Sequence, residues 1–238
     1  MSIDAMYGIQ INQGQHWGQK KVFKFGFNPE VGTDEETVWD GGGIYSYPAS
    51  ASVMKVSSSD DSDTSTVVIS GLDGDYNEIE ETVTVTGQTA VNTSNSFLRV
   101  FRARVTADAP AGVIWIGTGT VTTGVPANKY AKINAGENQT LMALWTVPAG
   151  YTAYLHQGTI SSGTSQSNKY ATARLKVRPF GEVFQTKAVV TLHNTFIPFD
   201  FGIPVVIPEK SDIEARAITS SGTDAISVTF SVIYVKND

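Results

Sequence analysis

Strict alternation of apolar and polar residues constrains this chain more than any other feature. Ala171, Ala173, Leu175 and Val177 alternate with Thr172, Arg174, Lys176 and Arg178. Near the end, Ile226, Val228, Phe230, Val232 and Tyr234 share one side, and the other side begins with Ser227, Thr229 and Ser231. A period of two sends successive side chains to opposite faces. Each segment therefore reads as a strand with one dry and one wet face. No stretch of roughly ten residues carries a helical stripe. One short helical turn is expected near Thr33 to Val38.

Turn signals punctuate the rest at regular spacing. Val22 to Phe27 reads as a first strand, stopped by Asn28-Pro29, and Gly32 with Asp34, Glu35 and Glu36 forms an acidic loop. Phe97 to Val105 carries Phe97, Phe101, Ala103 and Val105 on one face, with Arg99, Arg102 and Arg104 among them. Counting gives about fourteen short strands, the pattern of sandwiches and jelly rolls. The expected fold class is all-β, an antiparallel β-sandwich of jelly-roll-like type with an extended N-terminal arm. The expected division is an arm over 1–21, a first β subdomain over 22–124 and a second over 125–238. The last two are either separate or one continuous domain. The seam is placed where Gly124 and Pro126 interrupt strand chemistry. No internal repeat favours a propeller or a β-helix.

Composition narrows the function. A length of 238 residues buries a sizeable core without metals. The formal net charge of -6 disfavours nonspecific grip on DNA or anionic lipid, so neither nucleic acid nor membrane is an expected partner. With no cysteine, disulfides, thiolate metal sites and thiol nucleophiles are excluded. Met1 to Met6 has no basic or apolar signal region, and no apolar run approaches the roughly 18 residues of a membrane span.

Motifs for chemistry fail one by one. His16, His156 and His193 show no metal-ligand spacing. No serine sits in Gly-x-Ser-x-Gly. Asp73-Gly74-Asp75-Tyr76-Asn77-Glu78 opens like an EF-hand loop, but Glu78 holds the place of the required glycine and Thr84 that of the closing glutamate. An Asx turn is the simpler reading. No catalytic residue, cofactor or metal site is therefore expected. Trp17, on the Gln- and Gly-rich arm, is a candidate docking aromatic. Trp39, Tyr45 and Tyr47 flank Gly41-Gly42-Gly43 and are candidates for core or subunit contact.

Several ordered segments carry a resemblance. They are Phe25-Gly26-Phe27-Asn28-Pro29, Val38 to Tyr45 (VWDGGGIY), Gly71 to Val83 (GLDGDYNEIEETV), Gln139-Thr140-Leu141-Met142, Thr146-Val147-Pro148-Ala149-Gly150, Val177-Arg178-Pro179-Phe180-Gly181 and Pro208 to Ile213 (PEKSDI). From about residue 23 onward the chain resembles a family of virion structural proteins of tailed bacteriophages of marine and cyanobacterial type. The resemblance implies a β-rich, non-enzymatic building block of the virion, assembled in the host cytoplasm. A capsid decoration or cement protein is the first expectation, a symmetric homo-oligomer, in the first instance a trimer, seated on the major capsid protein. The alternative is a tail, collar or fibre-base component with a receptor- or glycan-binding role.

Overall fold

The structure, a computed structural model, describes residues 9–11, 13–14, 16–163 and 168–238. Much of the expected arm, including Gln15, lies outside the described residues.

The chain is all-β. In order, the strands are β1 (Gln19–Val31), β2 (Glu36–Thr37), β3 (Ser52–Ser58), β4 (Thr66–Leu72), β5 (Glu78–Thr84) and β6 (Val91–Phe97). There follow β7 (Arg99–Ala107), β8 (Ile114–Thr122), β9 (Val125–Ile133), β10 (Leu144–Thr146) and β11 (Tyr151–Ser162). The last are β12 (Ala171–Arg178), β13 (Gln185–Leu192), β14 (Phe196–Ile207), β15 (Asp212–Thr219) and β16 (Asp224–Lys236).

They form four antiparallel sheets in two layered units. In the terminal sandwich, one sheet runs β1-β16-β11-β14 and the other β10-β15-β12-β13, with β2 added on β15. In the inserted sandwich, β6-β3-β8-β9 is one sheet and β5-β4-β7 the other, and their edges approach where β5 meets β6 and β7 meets β9. Strands β3 to β9 thus form a unit inserted between β2 and β10. The chain crosses between the units at 38–51 and 134–143.

The alternation read from sequence is realised in β12 and β16. Every second residue of β12 is buried, beginning at Ala171. In β16, Ile226, Val228, Phe230, Val232 and Tyr234 all face the core, and β1 and β11 pair along both edges. Its outer face is stitched by hydroxyls: Thr159 and Thr229 lie 2.7 Å apart and Ser161 and Ser227 2.6 Å apart. One continuous cluster of buried side chains runs through both sandwiches, with Trp145, Phe97, Phe230 and Met54 among its largest members.

The structure differs from the sequence reading in four places. The segment 122–125 is a hairpin turn, with Thr122 paired to Val125, and does not separate two units. Gly124 (φ +74°) lies so close to Ser58 O that a side chain would not fit. The glycine therefore marks a tight docking of this turn on β3. Strand β1 begins at Gln19, inside the expected arm, and continues through Asn28-Pro29 with an irregularity of register before Val31. The edge position of β1 tolerates the proline. The expected helical turn near Thr33 to Val38 is the short strand β2, which pairs Glu36 with Ala217 and Thr37 with Arg216. The expected strand from Phe97 to Val105 breaks at Leu98, so Phe97 closes β6 while Arg99 opens β7.

Candidate functional site

The crossing segment 38–51 builds a stack of aromatics at the junction of the sandwiches. Trp39 and Tyr45 meet edge to face with centroids 5.2 Å apart, and Tyr45 meets Tyr47 at 4.8 Å. Gly41 lies beneath the Trp39 ring, where any Cβ would come within 2.3 Å of it. Trp39 Nε1 donates to Gly42 O at 2.9 Å, and Gly42 and Gly43 both have positive φ. The three glycines thus let the backbone curl around one indole. Of the core and subunit-contact settings expected for them, Trp39 and Tyr45 take the core, where they are buried and present almost no surface as interface residues. Tyr47 is half-buried, and Trp17 is 89% exposed with Lys236 Nζ 5.7 Å from its ring centroid.

Behind the aromatics lies a network of buried and half-buried charge on the outer face of the β15 sheet. Asp212 accepts from Arg99 Nε (2.8 Å), Arg99 Nη2 (3.3 Å), Arg178 Nε (3.0 Å), Arg178 Nη2 (2.5 Å) and Thr146 Oγ1 (2.6 Å). Five donors saturate the lone pairs of this carboxylate. Glu214, fully buried, accepts from Tyr47 OH at 2.9 Å and pairs with Arg216. Its pKa is pushed up by burial, against the pull of Arg216. Burial alone would lower the Arg99 pKa, but the bond to Asp212 outweighs this and raises it. Burial would likewise raise Glu35, but Lys176 and Arg216 reverse the effect and hold its carboxyl below the usual range. Glu35 gathers Arg174, Lys176 and Arg216. Five cations against three carboxylates leave two positive charges in excess within a chain of net charge -6.

Next to this network is a cleft of about 740 Å³, walled by loops of both sandwiches. Arg178 stacks on Tyr47 at 4.5 Å and Lys210 lies 5.7 Å from the Tyr76 centroid and 5.5 Å from that of Phe180. Phe180 meets Tyr76 edge to face and is 62% exposed. The Asp73 loop on its rim is an Asx turn. Asp73 Oδ1 accepts from the backbone N–H of Asp75 and of Asn77, each at 2.9 Å. Among the described residues, no cluster of His, Asp and Glu has the makings of a metal site.

Sequence reasoning brought none of the charged residues of the cleft and the network together. The available signal was charge inside strands, such as Arg99 within an otherwise apolar run and Glu214 between Ile213 and Ala215. Such residues are rarely buried unless paired.

A second surface lies at the far edge of the terminal sandwich. There β13 and β14 end the two sheets and are joined through 193–195. In β14 the register jumps from Val205 opposite Leu155 to Asp200 opposite Gln157. Residues 201–204 therefore bulge out opposite His156 alone. Gly202 (φ +63°) turns the bulge, its N–H donating to Asp200 Oδ1 at 2.7 Å. Ile203 projects from it 86% exposed, and Val189, Phe196 and Val206 are also exposed on these two strands.

No protein-family model matches the sequence, and no curated protein matches it. The solved structure of infectious bursal disease virus Gx strain is similar over 92% of this chain and 76% of that chain, at 10% identity and a TM-score of 0.25. The crystal structure of the infectious bursal disease virus VP2 subviral particle is similar over 93% of this chain and 77% of that one, at 10% identity and a TM-score of 0.22. TM-scores of this size do not establish a common fold.

Proposed function

We propose that this chain is a non-enzymatic structural component of a tailed-phage virion, a decoration or cement protein that assembles as a symmetric trimer on the capsid. The observation that carries the oligomer is the β13–β14 edge. Large apolar side chains stand exposed on both strands that end the terminal sandwich, Val189 on β13 and Phe196, Ile203 and Val206 on β14, and exposed apolar surface of this kind marks contact sites. Ile203, raised on its own bulge, has the form of an anchor for a pocket on a neighbour. Pro198 and Pro204 remove backbone donors from this edge, which discourages strand-on-strand aggregation. Contact through side chains in a closed ring of identical copies is what such an edge permits. The particle setting rests on the resemblance of the ordered segments from residue 23 onward.

Sedimentation equilibrium of the purified chain tests the oligomer. Wild-type protein is expected to sediment as a trimer and the Ile203→Asp variant as a monomer with the same melting temperature. A wild-type monomer at every concentration would contradict the reading.

A further inference from the structure

We infer that the cleft between the two sandwiches is a binding site for an acidic saccharide, a pyranose unit carrying a carboxylate. The inference stands on the cleft alone and does not depend on the particle setting.

Charge argues for an anion. Arg99, Arg178 and Lys210 face the cleft together with Asp212 and Glu182, which leaves one positive charge in excess in an acidic protein. The carboxylate of Asp212 is consumed by the two arginines and Thr146. Lys210 is different. Among the described residues no carboxylate lies within 4.0 Å of it, and its ammonium is held between the rings of Tyr76 and Phe180. Its backbone takes the left-handed conformation (φ +60°), fixed by its N–H donating to Val147 O at 2.9 Å. A non-glycine residue held in this region stores strain that the surrounding structure must enforce, and such positions gather at ligand clamps. Arg178 adds one more donor nitrogen, Nη1, beyond the two that Asp212 occupies.

Shape and lining argue for a sugar. A volume of about 740 Å³ falls in the range of small-molecule sites. Phe180 and Tyr76 provide apolar ring surface beside the Lys210 ammonium, which has no carboxylate partner among the described residues. A pyranose acid has both complements, a C–H face to lie on a ring and a carboxylate to meet Lys210 and Arg178. The walls are mostly loops, at 48–51, 74–76, 179–182 and 210, and they present no strand edge along which a peptide could extend. An acidic peptide is therefore the weaker fit.

Saturation-transfer NMR with the whole chain tests this, using a glucuronate-containing tetrasaccharide, its methyl ester and inorganic phosphate as probes. The acid should bind, and the ester should not. Lys210→Met and Phe180→Ala should each weaken binding by about tenfold or more, with melting temperatures unchanged because both side chains stand at the cleft surface. Equal binding of acid and ester, no binding at millimolar concentration, or full affinity in Lys210→Met would each overturn the inference. So would an acidic peptide or phosphate competing as well as the sugar. The oligomer measurement is untouched by any of these results.

Discussion

Asp212 shows how much of the junction hangs on single side chains. It joins β7 of one sandwich to β12 and β15 of the other through Arg99 and Arg178. Nothing in the sequence marked this aspartate, because a pairing across 113 positions leaves no periodic trace. Asp40 is the opposite kind of buried acid. It sits 5% exposed in the glycine-rich crossing, where Oδ1 has no hydrogen-bond partner and Oδ2 is 3.4 Å from Asn134 Nδ2. Burial, only partly opposed by Lys132, pushes its pKa up to about 7. A carboxyl whose folded pKa is raised contributes stability that is fully present below about pH 4 and lost as pH rises through about 7. Asp40→Asn keeps the shape and removes the ionisable group. The variant should match wild type near pH 4 and exceed it by about 1–3 kcal/mol at pH 8. Urea midpoints at the two pH values measure this, and a pH-independent difference would show that Asp40 does not carry the charge penalty.

Legibility differs from strand to strand. In β12 and β16 one face meets the core and the other meets water, so alternation declares both strand and orientation. In β1 it declares the strand but not the face. Phe23, Phe25 and Phe27 lie on the side that shares register with Ser231, Thr229 and Ser227 of the outer face. The buried side carries Lys24, Gly26 and Asn28. The reason is what packs against β1, namely β7 of the inserted sandwich and the two crossing segments. Lys24 Nζ donates to Phe101 O, and a Cβ at Gly26 would collide with Ala143 N at 2.2 Å. A side chain set by a neighbouring unit cannot be read from a strand's own period. The central strand gives the cleaner test. Phe230 is fully buried between β1 and β11. Phe230→Ala should cost about 3–5 kcal/mol in equilibrium unfolding, and a near-neutral result would reverse the orientation of β16.

At the level of the molecule, the all-β class was readable because short alternating segments and turns recur throughout. The insertion was not. Strands β3 to β9 look like their neighbours in composition, and only long-range pairing shows that β2 and β10 belong to one sandwich. The expected seam fell on a hairpin because Gly124 and Pro126 serve a tight turn as well as they would serve a linker. The cleft exists because of the insertion, since its walls come from both units. Its aromatic and cationic residues lie far apart in sequence. The surfaces left over, the cleft and the β13–β14 edge, are the two proposed here for meeting other molecules. Quantitative densitometry of purified particles bears most directly on the proposed role as a repeated shell component. On the order of hundreds of copies per particle are expected, as a symmetric shell requires. A dozen copies or fewer would contradict the decoration role and move the protein to the tail, collar or fibre base.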